Sequence, residues 1–132
     1  MVLFVGSNIH YLRAISNALG LSGDKATFAQ TESDLTELSA KLKRFDHTVV
    51  DAFYISQGGG KVITDRAIDQ LRSLGYTGPI GACSNDPIIN EYLVKLGGAS
   101  FGCGEYSEDE RNCPKLITME EIVAVIEPLL QS

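Results

Sequence analysis

The sequence predicts an α/β domain built on a parallel sheet of five strands with helices on both faces. Short apolar runs alternate along the chain with segments whose apolar residues recur at helical spacing. Val2-Leu3-Phe4-Val5 is wholly apolar, as a strand covered on both faces requires. Five such strands alternate with five helical stripes, and no internal repeat or low-complexity tract interrupts them.

Gly6-Ser7-Asn8 ends the first strand, and a helix follows from about Asn8 to Leu19 on Ile9, Leu12, Ile15 and Leu19. Ser7 or Asn8 suits its start and Gly20 its end. Lys25 to Ala29 reads as the second strand. Thr31 to Ser33 caps a second helix, striped by Leu35, Leu38, Leu42 and Phe45. Its last turn carries Lys41, Lys43 and Arg44, which complement the negative end of the helix dipole.

Asp46-His47-Thr48-Val49-Val50-Asp51-Ala52 is the third strand, with a carboxylate where it runs out. Gly58-Gly59-Gly60 then reads as a flexible connection. It lacks the Gly-x-x-x-x-Gly-Lys-Ser/Thr pattern of a phosphate loop. Val62, Ile63, Ala67, Ile68, Leu71 and Leu74 form the third helical stripe, closed by Gly75 and Gly78-Pro79. Pro79 to Cys83 is the fourth strand. Asp86-Pro87 opens a helix lined by Ile88, Ile89, Tyr92, Leu93 and Leu96. Ala99 to Cys103 is a fifth strand, and a polar segment from Gly104 to Cys113 follows it. Thr118-Met119-Glu120-Glu121 is a capping box for the last helix, with Pro128 near its end.

Right-handed crossovers restrict how these units connect, and the doubly wound, flavodoxin-like order 2-1-3-4-5 is the expected one. Strands one and three then meet at the switch point. Gly6-Ser7-Asn8 and Asp51 would face one crevice, the place where ligands bind in such sheets.

The 132 residues suffice for a single domain spanning 1–132. A net charge of -6 argues against a nucleic-acid surface. No apolar run approaches the roughly 20 residues of a membrane span, and the N-terminus has no signal-peptide pattern. Cys83, Cys103 and Cys113 form no Cys-x-x-Cys pair, and a cytoplasmic protein with free thiols is expected. Cys83 and Cys103 fall near the ends of neighbouring predicted strands, where a redox disulfide is conceivable. A metal site using these thiols and His10 lacks the ligand spacing of structural zinc. No metal or other cofactor is expected.

Taken together, the motifs resemble the receiver domain of two-component response regulators over nearly the whole chain. Asp51, in its strand-Asp-loop-Gly setting through Gly59, takes the place of the phosphoacceptor. In Pro79-Ile80-Gly81-Ala82-Cys83-Ser84, Ser84 takes the place of the switch hydroxyl. Leu96-Gly97-Gly98 resembles the Ala-Gly-Ala segment, and Phe101 takes the place of the switch aromatic. Met119-Glu120-Glu121-Ile122 resembles the opening of the last helix.

Two departures bear on function. Receivers carry an acidic pair after the first strand that helps hold a divalent cation; here those positions are Gly6 and Ser7. Receivers also end the fifth strand in Lys-Pro; here the matching positions are Gly104 and Glu105. Lys115 is the alternative counterpart of that lysine, after an insertion from Gly104 to Pro114. Phosphoryl transfer to a carboxylate depends on a cation and a lysine to stabilise the charge on the transferring oxygens. Mg²⁺ is usually held by one or two carboxylates with water, so Asp51 beside Ser7 and Asn8 makes a weak Mg²⁺ site.

The resemblance with these departures implies an atypical receiver, or pseudo-receiver: a non-enzymatic signalling module. It would bind a protein partner or a second copy of itself through the last two helices, the fifth strand and the 104–114 loop. Two alternatives stay open: a phosphoacceptor using Asp51, and a flavodoxin-like small-ligand binder using the crevice at Gly6, Ser7 and Asn8. Ser84 can equally be a local backbone cap, and Phe101 equally a core aromatic.

Overall fold

The computed structural model describes residues 1–97 and 118–130. Four short parallel strands form the main sheet: β1 (Val2–Val5), β2 (Ala26–Ala29), β3 (His47–Val50) and β6 (Ile80–Ala82), in the order β2-β1-β3-β6. Val5 stands opposite both Ala29 and Val50, so the three strands end level with one another. Two further strands, β4 (Phe53–Ile55) and β5 (Lys61–Ile63), pair antiparallel as a separate hairpin. The helices are α1 (Ile9–Ala18), α2 (Glu32–Glu37), α3 (Asp65–Ser73), α4 (Pro87–Gly97) and α5 (Met119–Leu130). The sheet therefore takes the first four places of the expected order, and the expected fifth strand lies outside the described residues.

Alternation along β1 sets the layers. Leu3 and Val5 point to a core shared with Leu35 of α2, Ile68 and Leu71 of α3 and Leu93 of α4. Val2 and Phe4 point to the opposite core, with Leu12 and Ile15 of α1 and Ile122 and Ile126 of α5. An apolar strand with a partner on each side buries both faces, which is why its sequence shows no polar alternation.

Local chemistry sets the helix ends. The Asn8 side chain accepts the Tyr11 N–H at 3.2 Å and starts α1. Thr31 and Asp34 form a reciprocal capping box at α2. Asp86 Oδ1 accepts the N–H groups of Ile88 and Ile89, at 2.9 and 3.2 Å, and starts α4. Thr118 and Glu121 satisfy each other's N–H groups at the start of α5, as the capping box predicts.

Two expectations need correction. The second helical stripe does not form one α-helix. After Glu37 the chain tightens into a 3-10 segment, Ser39–Arg44, which still delivers Leu42 and Phe45 to the core. The connection after the third strand is not simply a flexible link, and α3 does not begin at Val62. Phe53 to Ile63 folds into the β4–β5 hairpin, turning at Gly59 with φ +86°, a conformation that favours glycine. Tyr54 and Val62 stand opposite each other with Tyr54 fully buried, while Phe53 and Ile63 pair on the exposed face.

Candidate functional site

β3 and β1 end side by side, and the carboxylate sits where they stop. The Asp51 N–H bonds to the Val5 carbonyl at 2.9 Å, continuing the ladder one step past β3. One residue on, the chain after β1 turns aside. The Gly6 N–H bonds to the Ala29 carbonyl at 3.0 Å, and the Ser7 N–H to the Phe53 carbonyl at 2.8 Å. The hairpin is thus tied to the mouth of the sheet. The other end of β4 is anchored too: the Ile55 N–H reaches the Gln30 carbonyl at 3.0 Å.

Asp51 is 8% exposed. Burial pushes its carboxyl up to about 6, partly offset by a backbone hydrogen bond from Ala52. Thr64, fully buried just before α3, donates its hydroxyl to the Asp51 carbonyl and its N–H to the Ala52 carbonyl at 3.0 Å. The backbone on either side of the Asp51 side chain is therefore held by β1 and by the start of α3.

A cavity of about 310 Å³ opens above the carboxylate. Ser7 and Asn8 line it from the turn after β1, Phe53 and Lys61 from the hairpin, and Ser84, Asn85 and Asp86 from the loop after β6. The sequence-predicted Asp51, Ser7, Asn8 and Ser84 do come together. Ser84 is fully buried, and its hydroxyl accepts the Asp86 N–H at 3.1 Å. Its own N–H bonds to the side-chain oxygen of the buried Asn90 at 3.0 Å. The local-cap reading of Ser84 therefore describes what the hydroxyl does. The carbonyl before it, Cys83, accepts the Tyr11 hydroxyl at 2.7 Å. Cys83 is buried in the core beneath α1 and α5. Phe101, Lys115, Cys103, Cys113 and the 104–114 loop lie outside the described residues.

At Gly6 the fold leaves little space for a side chain. A Cβ built on Gly6 would lie 2.9 Å from the Asp51 Cβ and 3.1 Å from a Leu12 methyl. Real Cβ atoms do not approach a neighbour so closely, and the Asp51 backbone is pinned. A carboxylate at position 6 has no room in this arrangement. The other carboxylate at the cavity, Asp86, already uses Oδ1 to cap α4. Among the described residues no group of three or more His, Cys, Asp or Glu is placed to hold a metal ion. Among the described residues lining the cavity, Asp51 is the one carboxylate not engaged in a helix cap.

Lys61 and Thr64 were not singled out from the sequence. The signal for Lys61 was the pair of apolar triplets flanking the glycine run, read there as one linker and one helix start. Thr64 had no sequence signal, because its partners are backbone carbonyls.

Comparison with protein-family models, with curated proteins and with solved structures gave no match to this chain.

Proposed function

We propose that this chain is a receiver-like regulatory domain working by protein interaction, without Mg²⁺-dependent phosphorylation. In this reading the sheet has five strands in the order 2-1-3-4-5, with residues 99–103 as the edge strand. The domain belongs to two-component-type signalling in the cytoplasm and performs no catalysis. Its partner, or a second copy, engages the last two helices, the fifth strand and the 104–114 loop.

The observation that carries the proposal is the pairing of Asp51 with Gly6. The strand-end carboxylate is present, while Asp51 itself fills the space needed by the neighbouring carboxylate of a cation site. The Ser84 hydroxyl is engaged in its loop, which supports the same reading. Incubation with Mg²⁺ and acetyl phosphate tests it by intact-protein mass. The expected result is an unchanged mass. A phosphoryl adduct that Asp51→Asn abolishes would overturn the proposal in favour of a working phosphoacceptor.

The cavity of about 310 Å³ over Asp51 favours a second reading, a flavodoxin-like small-ligand binder. A ligand at one hundred times its Kd stabilises the fold by about 2.7 kcal/mol, which a thermal-shift screen detects. A hit abolished by substitutions at Asn8 and Lys61 supports this second reading. A screen without hits counts against it.

A further inference from the structure

One face of α4 is apolar and exposed along its whole length. Ile88, Tyr92 and Leu96 follow one another at four-residue steps and are 49%, 44% and 48% exposed. Residues at this spacing form one stripe on a helix. The buried residues of the same helix are Pro87, Asn90 and Leu93, outside this stripe. The charge of Lys95, next to Leu96, is matched by Glu91 at 3.2 Å.

The flank of the stripe is acidic. Tyr92 donates its hydroxyl to Asp65 at 3.1 Å, which places the start of α3 against the middle of the stripe. The Tyr92 phenol is held above its usual range, first by this bond, then by desolvation and the charges of Asp65 and Asp69. Asp65 and Asp69 are one helical turn apart, so they form a short negative row. The cationic and amide groups of α3 are engaged elsewhere: Arg66 reaches Glu32 at 3.8 Å, Gln70 donates to Thr36 at 3.1 Å, and Arg72 donates to the Tyr76 carbonyl at 2.9 Å.

We propose that the Ile88-Tyr92-Leu96 stripe, with its Asp65-Asp69 flank, is a docking surface for a basic amphipathic helix of a protein partner. An apolar row with one acidic border fits a helix whose apolar face is bordered by lysine or arginine. The amphipathic face supplies affinity, and the acidic border sets the orientation and the salt dependence. This inference rests on the protein-interaction reading above; it extends the partner surface from α4 to the start of α3 and gives the partner a chemistry.

The test uses the full chain, ¹⁵N-labelled, and a synthetic amphipathic peptide with leucines at i, i+4 and i+8 bordered by lysine and arginine. A second peptide has the same composition in scrambled order. The expected result is saturable binding of the patterned peptide, with amide shifts clustered at Asp65, Asp69, Ile88, Tyr92 and Leu96. The double variant Asp65→Asn/Asp69→Asn should weaken binding roughly three- to ten-fold and flatten its salt dependence. Tyr92→Ala should weaken it about ten-fold or more, with circular dichroism confirming that the variant is folded.

Equal binding of both peptides, or shifts centred elsewhere, overturns the proposal. So does self-association that Tyr92→Glu abolishes, which assigns the face to a second copy. Contacts between Tyr92 and residues 98–117 in the free protein also overturn it, by assigning the stripe to the chain's own segment. Failure of the peptide leaves the module reading standing. A phosphoryl adduct on Asp51 removes that reading whatever the peptide does.

Discussion

Gly6→Ala is the smallest change that probes the closed end of β1. The added methyl would meet the Asp51 Cβ at 2.9 Å and a Leu12 methyl at 3.1 Å. Neither neighbour yields easily. Asp51 is bonded to Val5 through its N–H, and Thr64 holds its carbonyl. Leu12 is fully buried among Phe4, Ile15 and Ile122. Forcing a methyl group into such packing costs about 1–3 kcal/mol. Replacing glycine by alanine also restricts the unfolded chain, which returns about 0.4–1 kcal/mol. Gly6 is not at positive φ, so no backbone strain is added. The expected net loss is about 1–2 kcal/mol, read as a lower urea midpoint at unchanged slope. Gly6→Asp should lose more, because its carboxylate enters the same space beside a buried Asp51. The variant should also gain no Mg²⁺ affinity. A stable Gly6→Ala, or a Gly6→Asp that binds Mg²⁺ with parental stability, would refute the steric account.

Two other predictions concern the same strand end. Asp51 has a folded pKa of about 6 against about 3.9 unfolded, so the folded state binds its proton more tightly. The charged form therefore costs the fold about 2–3 kcal/mol above about pH 6, a cost that fades as pH falls towards about 4. Asp51→Asn should accordingly be more stable than the parent by about 1–3 kcal/mol at about pH 7.5 and close to it near pH 4. Denaturant unfolding at both values checks this, and a gain independent of pH contradicts it. Thr64→Val keeps the side-chain shape but removes the hydroxyl that serves the Asp51 and Ala52 carbonyls. Losing that buried partner should cost about 1–3 kcal/mol, measured by thermal or urea unfolding.

The strands of the main sheet were legible because burial on two faces leaves a direct mark. Val2 to Val5 carries no polar residue, and Thr48 to Val50 is buried throughout, as strands in the middle of a parallel sheet are. The caps were legible because they are local: Asn8, Asp86 and Thr118 act within three residues of themselves. The hairpin was hidden by two competing signals. The three glycines read as a breaker, and Val62 and Ile63 fall in phase with the stripe of α3. Long-range pairing of Tyr54 with Val62 decides the matter, and a periodicity window does not contain it. At the site, Asp51 was legible from its strand end. The meaning of Gly6 was not. Against the receiver pattern it reads as a missing carboxylate; in the fold it is the space that the Asp51 and Leu12 side chains leave for a backbone. Lys61 reached the cavity only through the unforeseen hairpin.

What we propose for Asp51 is a place in a receiver-like domain but outside a working cation-dependent switch. The most direct measurement is the ¹H–¹⁵N spectrum of the protein with Mg²⁺ and beryllofluoride, which mimics an aspartyl phosphate. The account predicts a spectrum unchanged from that of the free protein. Mg²⁺-dependent shifts at Asp51, Ser84 and the start of α4 would contradict it.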